Sequence, residues 1–141
     1  MAVYGILTDG DCVLLMRRAG SGYRDGQLSV PAGHLDGGED ALSGLIRELR
    51  EELTIAADPA SCRLAVTVHR APETATDSEY LDLFFTVERW AGTPAIGEPD
   101  KCTELVWARK SALPSDLIDY VATALNAADN ARPLLLHGWT A

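Results

Sequence analysis

Residues 33–55 read GHLDGGEDALSGLIRELREELTI, and this stretch decides the fold. Its core, Arg47-Glu48-Leu49-Arg50-Glu51-Glu52, sets three carboxylates within five residues. On a helix Glu48, Glu51 and Glu52 stand at i, i+3 and i+4 and share one face. Leu42, Leu45, Ile46, Leu49 and Leu53 fall on a separate arc of about 100° and make an apolar stripe. The spacing therefore predicts a helix over residues 40–53 that buries leucines and carries a carboxylate cluster at its edge. Glu39 or Asp40 stands at its N-terminus, where negative charge is favoured. Glutamate-rich helix faces are often merely solvated. Here the like charges repel unless a cation sits among them, and hard oxygen donors suit Mg²⁺ or Mn²⁺.

Working outward, residues 2–8 read as a strand and Asp9-Gly10 as a hairpin turn. Residues 12–17 return as a strand whose continuous apolar run implies burial on both faces. Residues 19–27 are a loop by composition, followed by a short strand at 28–30. Alternation predicts strands at 62–70, 79–89 and 102–108, separated by polar loops at 71–78 and 95–101. A second helix is expected over 116–128, with Ser115 as its N-cap. Strands, helix, strands, helix is the order of a mixed sheet packed between helices, an α/β arrangement.

The stretch also resembles the Nudix box, the signature of the Nudix hydrolases. That pattern is a Gly, five residues, a Glu, seven residues, then Arg-Glu-aliphatic-x-Glu-Glu-x-Gly-aliphatic. Gly33, Glu39, Arg47, Glu48, Leu49, Glu51, Glu52 and Ile55 match it. Thr54 stands where the family has Gly. A β-branched residue in the left-handed conformation of such a cap is strained by about 1–2 kcal/mol, so the helix is expected to end by another route. The flanks, including LFFTVERWAGTP and EPDKCTELVWA, look like MutT-type members.

The resemblance implies a single Nudix domain over residues 1–141 with the α/β/α sandwich and its central mixed sheet. It implies Glu48, Glu51 and Glu52 as metal ligands, with the Gly33 carbonyl beside them. Glu48 is the favoured general base, Arg47 orients it by two hydrogen bonds, and Glu39 braces the loop and helix or belongs to the outer metal shell. Glu98 is a further candidate, since MutT-like proteins place an acidic ligand or base in the corresponding loop. Glu79 and Asp82 are weaker candidates, and Asp82 fits equally an outward position on its strand. Arg17 and Arg18 end a strand where they can reach a phosphate, and His34 lies in the box loop. Tyr4, Tyr23, Phe84, Trp107 and Trp139 are the aromatic groups available as a base platform.

Bulk properties narrow the partners. A net charge of −9 over 141 residues disfavours long nucleic acid and anionic membrane surfaces. It leaves room for a small phosphorylated nucleotide carried by metal ions. No apolar run approaches a membrane span, and the N-terminus has no secretion-signal pattern. The three cysteines are odd in number and form no CxxC, so neither a disulfide framework nor a zinc site is indicated. A cytoplasmic setting is expected, and a homodimer is left open. The expected activity is Mg²⁺- or Mn²⁺-dependent hydrolysis of a nucleoside diphosphate linked to another moiety, first of all a nucleoside triphosphate to monophosphate and pyrophosphate. ADP-ribose or a nucleotide sugar is the alternative substrate. A nucleotide-sensing domain without turnover is the alternative class.

Overall fold

The computed structural model describes residues 1–140. Ten strands and two α-helices follow in the order β1 Ala2–Asp9, β2 Cys12–Arg18, β3 Leu28–Ser29, β4 Ala32–His34, α1 Ala41–Leu53, β5 Ala56–Ala57, β6 Cys62–Arg70, β7 Tyr80–Val87, β8 Trp90–Ala91, β9 Cys102–Arg109, α2 Asp119–Asp129 and β10 Leu134–His137. The main sheet runs β10-β6-β7-β1-β2-β3, with β4 also paired to β1 and β9 to β2. It is mixed: β1–β7 and β10–β6 are parallel, while β6–β7, β1–β4 and β2–β9 are antiparallel. A separate β5–β8 pair lies beside it.

Strand alternation builds two cores. Val3 and Leu7 pack with Leu45, Leu49 and Leu53 of α1. Tyr4 and Ile6 pack with Val66, Val68, Phe84 and the Tyr120, Val121, Ala124 face of α2. The sheet is thus covered on both faces by helices, the expected α/β/α sandwich. No helix is long and apolar enough to cross a membrane among the described residues. Val13, Leu14, Leu15 and Met16 of β2 are all buried, as its unbroken apolar run required.

Several elements depart from the sequence reading. β4, β5, β8 and β10 are short strands that carry too few residues for a period-2 signal. The second helix starts at Asp119, and Ser115 does not cap it; its N-cap is Ile118, without a side-chain bond. The preceding residues form a turn instead, closed by the Leu117 N–H on the Pro114 carbonyl and tied to β3, where the Leu28 N–H donates to the Asp116 carbonyl and the Ile118 N–H to the Leu28 carbonyl.

The first helix starts as expected and ends as not expected. Asp40 is the N-cap, accepting from the Ser43 N–H at 2.8 Å. Thr54 does take the left-handed conformation, with φ 58° and ψ 29°, and its N–H donates to the Arg50 carbonyl. The left-handed cap forms although the glycine is absent, so the strain is stored at an exposed residue. We expect Thr54→Gly to stabilise the protein by about 1 kcal/mol, since relief of the left-handed strain exceeds the added chain entropy. Urea unfolding would check this, and an unchanged midpoint would show that Thr54 is unstrained.

Candidate active site

A cleft of about 740 Å³ opens along one end of the sheet, between α1, the 20–26 loop, β4 and the 95–101 loop. Glu48, Glu51, Glu52 and Glu98 line it together with Gly33, His34 and Arg47. The helix face thus meets the box loop in space.

Gly33 has a specific steric reason. A Cβ there would collide with the Glu48 carboxylate, so only glycine lets β4 pass against the helix. Gly97 does the same on the other side. Its N–H donates to the Glu52 carbonyl at 2.9 Å, and a Cβ would strike the Glu51 carbonyl. This contact seats Glu98, the next residue, beside the helix glutamates.

Arg47 is tied differently from the expectation. Its fork closes on Glu39, with Nε to Oε2 at 3.1 Å and Nη2 to Oε1 at 2.7 Å. Glu48 receives a single bond, from Nη1 to Oε1 at 2.9 Å. Glu39 also accepts from the Asp36 N–H at 2.8 Å, so it braces the loop to the helix. These bonds from Arg47 and Asp36 hold the Glu39 carboxyl below its usual range. The bidentate geometry leaves Arg47 little freedom, and Glu48 inherits that rigidity.

Burial pushes the Glu52 carboxyl up to about 8, and the nearby Glu48 charge adds to the effect. The Ala32 N–H donates to Glu52 Oε2 at 3.1 Å and opposes it in part. Burial likewise raises Glu48, against the pull of Arg47. The cluster is therefore short of positive charge, the condition that a divalent cation relieves. Among the described residues no three His, Cys, Asp or Glu side chains already close on a common point. Glu48 Oε1 is held by Arg47 and Glu52 Oε2 by Ala32, while the other oxygen of each is outside these bonds. All-oxygen donors of this kind fit a hard divalent ion.

The remaining candidates divide. Arg17 does not line the cleft. Its guanidinium bonds Glu104 at 2.8 Å and Asp116 at 2.7 Å on the opposite face of β2. The next residue on the strand, Arg18, faces the cleft, as does Lys101, which lies 3.6 Å from Glu98. Of the two arginines expected to reach a phosphate, Arg18 alone faces the cleft, by strand alternation. The His34 carbonyl accepts from Arg47, and its ring lies 6.2 Å from that of Tyr80. Phe84 is fully buried under Tyr4, at 4.2 Å between centroids, and Trp107 and Trp139 are surface residues away from the cleft.

All four tyrosines of the chain, Tyr4, Tyr23, Tyr80 and Tyr120, line the cleft at the end away from the glutamates. Tyr23 and Tyr120 hydroxyls are 3.1 Å apart, and Arg70 Nη1 donates to Tyr23 at 3.1 Å. The Arg70 guanidinium stacks over the Tyr120 and Tyr80 rings, at 4.1 and 4.7 Å. Burial raises Tyr4, Tyr23 and Tyr120, so they stay protonated. Asp82 does not point outward. It is wholly buried and pairs with Arg70. Glu79 bonds His69 at 3.3 Å outside the cleft. Arg70, Tyr80 and Tyr120 were missed in sequence. The signal was present, since Arg70 and Asp82 both fall in register with buried Val66, Val68 and Phe84.

The NUDIX domain family profile matches residues 1–128. The chain belongs to the Nudix family. Its fold is similar to the MutT NUDIX hydrolase of Burkholderia pseudomallei, at 24% identity over 89% of this chain and 95% of that one, TM-score 0.81. It is similar also to the mutator MutT protein of Bacillus halodurans, at 21% identity over 96% and 88%, TM-score 0.76. A third similar structure is the NUDIX domain of Shewanella oneidensis NrtR complexed with ADP-ribose, at 17% identity over 92% and 85%, TM-score 0.71. No curated protein matches in sequence.

Proposed function

We propose that the protein hydrolyses the diphosphate linkage of a nucleoside triphosphate, with Mg²⁺ or Mn²⁺, to a monophosphate and pyrophosphate. One observation carries this reading: the glutamate face and the tyrosine end share a single cleft. A nucleotide has the same two-part chemistry, a polyanion joined to an aromatic base.

Glu48, Glu51, Glu52 and Glu98 would hold the ion, with the Gly33 carbonyl at the same place. When bound, it neutralises phosphate oxygens and lowers the pKa of water. Glu48, braced through Arg47 and Glu39, accepts the proton of the attacking water. Arg18 and Lys101 bind phosphate oxygens that the ion leaves uncovered. Tyr23, Tyr80 and Tyr120 offer ring faces and neutral hydroxyls to the nucleoside.

The ADP-ribose bound to the NrtR domain favours a second reading, cleavage of ADP-ribose or a nucleotide sugar. The same cleft suits it, with the tyrosines facing either end of the ligand. A screen of nucleoside triphosphates, dinucleotides and nucleotide sugars with Mg²⁺ or Mn²⁺, products resolved by chromatography, separates the two. Pyrophosphate released from triphosphates supports the first. Turnover confined to ADP-ribose or sugar nucleotides replaces it with the second. Tight binding without turnover leaves a sensing domain. Within either reaction, Glu98→Gln should lower kcat roughly 10- to 100-fold. An unchanged rate would return Glu98 to solvent.

A further inference from the structure

The loop of residues 19–27 leaves β2 and enters β3. Its base is closed by backbone bonds, from the Gly26 N–H to the Arg18 carbonyl, the Arg18 N–H to the Gln27 carbonyl and the Ala19 N–H to the Lys101 carbonyl. The part between carries Tyr23. It folds on the Asp25 carboxylate, which accepts from the Ser21 hydroxyl at 2.6 Å and the Gly22 N–H at 2.8 Å. Arg24 follows Tyr23 in a left-handed conformation, with φ 50°. A residue with a Cβ is strained there and persists only where its surroundings over-determine it.

Those surroundings are two carboxylates from distant parts of the chain. Arg24 Nη2 donates to Glu73 Oε1 at 2.6 Å and Nη1 to Asp119 Oδ1 at 3.3 Å. The same guanidinium lies 5.7 Å from the centroids of the Tyr23 and Tyr120 rings. The Tyr23 hydroxyl also donates to Glu73, at 3.3 Å. Glu73 stands in the loop after β6 and Arg24 in the loop after β2, with β7 and β1 between those strands. Register puts the ends of β2 and β6 at the side where β1 and β7 begin. Arg24 thus joins two loops across the strand ends from which Ala2, Tyr4 and Tyr80 line the cleft.

We propose that Arg24 is a positioning residue for the nucleoside: bridged to Glu73 and Asp119, it holds Tyr23 in place as a preformed wall of the tyrosine end. The inference rests on the nucleoside occupying that end, as in the proposed function. A wall fixed before binding spares the ligand the ordering of a loop, so it lowers KM and leaves the chemical step alone. Arg24 does not itself line the cleft, so its effect passes through Tyr23. The bridge is separable from the fold. The loop base keeps its own backbone bonds, and the Arg24 and Glu73 side chains are 23% and 38% exposed, where an ion pair is weak and screened by salt.

Arg24→Met keeps the stem of the side chain and removes the bridge. Steady-state kinetics with Mg²⁺ on the four ribonucleoside triphosphates and ADP-ribose test it. For every nucleotide turned over, KM should rise about 3- to 10-fold while kcat stays within about twofold. Inorganic tripolyphosphate, which has no nucleoside, should inhibit variant and wild type alike. Glu73→Gln should also raise KM, and adding it to Arg24→Met should change little, since the two residues act through one contact. In nucleotide-free protein, amide exchange over residues 21–25 should quicken in Arg24→Met while β1 and β7 keep their protection. An unchanged or lower KM, an equal loss of tripolyphosphate inhibition, or additive losses in the double variant would each overturn the assignment. If no nucleotide of the panel reacts, the proposed function falls instead, and exchange decides the bridge: faster exchange over residues 21–25 supports it and unchanged exchange overturns it.

Discussion

Glu52→Gln should abolish hydrolysis by three or more orders of magnitude while making the metal-free protein more stable at alkaline pH. The rate loss follows from removing a carboxylate from the proposed ion site, where electrostatic stabilisation is the main catalytic contribution. The stability gain follows from burial. Glu52 has a folded-state pKa raised to about 8, above the ordinary carboxyl value. The native state therefore binds more protons than the unfolded chain between about pH 4.5 and 8, so stability falls as pH rises through that window and is fully reduced above it. Glutamine has no charge to desolvate, and its carbonyl still accepts from the Ala32 N–H. We expect the variant to exceed wild type by roughly 1–3 kcal/mol at pH 8.5 without metal, and to match it near pH 4.5. Mg²⁺ should raise the wild-type melting temperature more than the variant's. Thermal unfolding across pH, with and without Mg²⁺, measures all three. Near-normal turnover would sink the ion assignment, and equal melting at pH 8.5 would show that Glu52 bears no buried charge.

The second large effect lies at the other end of the cleft. Arg70→Met should destabilise the protein by about 3–5 kcal/mol, because it leaves Asp82 buried and without its cation. Asp82 has no solvent contact, and its partner also holds Tyr23 and stacks on Tyr80 and Tyr120. The double variant Arg70→Met with Asp82→Leu should recover most of the loss, since no lone charge remains. At temperatures where the variants stay folded, KM should rise more than kcat falls, because in the proposed reaction the tyrosine end binds the nucleoside and does not react. Denaturant unfolding of the single and double variants, with their steady-state kinetics, decides this. A double variant no more stable than the single one would assign the loss to the arginine's packing. A fall in kcat alone would place Arg70 in the chemistry.

These two residues also show where legibility stops. The helix of residues 41–53 was readable because 13 residues of 3.6-period leucines leave no other placement. The box loop was readable because Gly33, Glu39 and the glutamates keep a fixed spacing. The cap at Thr54 was misjudged. Local propensity argued against a left-handed threonine, and the packing of Ile55 and the Thr54-to-Arg50 bond overrode it. Of the adjacent Arg17 and Arg18, both read as phosphate contacts, only Arg18 faces the cleft, because neighbours on a strand point to opposite faces. The tyrosines come from four separate elements, so no local pattern unites them.

Sequence alone determined the amphipathic helix, its carboxylate face and the family likeness, because each depends on spacing along a few turns of one segment. Tertiary structure decided the rest. It brought Glu98 beside the helix through the close approach of Gly97, and it turned Arg47 onto Glu39. It gathered four tyrosines over a buried Arg70–Asp82 pair, and it set β10 at one end of the main sheet among the described residues. Each of these is a contact between segments far apart in the chain, and such contacts follow from sheet order and register, which short-range periodicity does not encode.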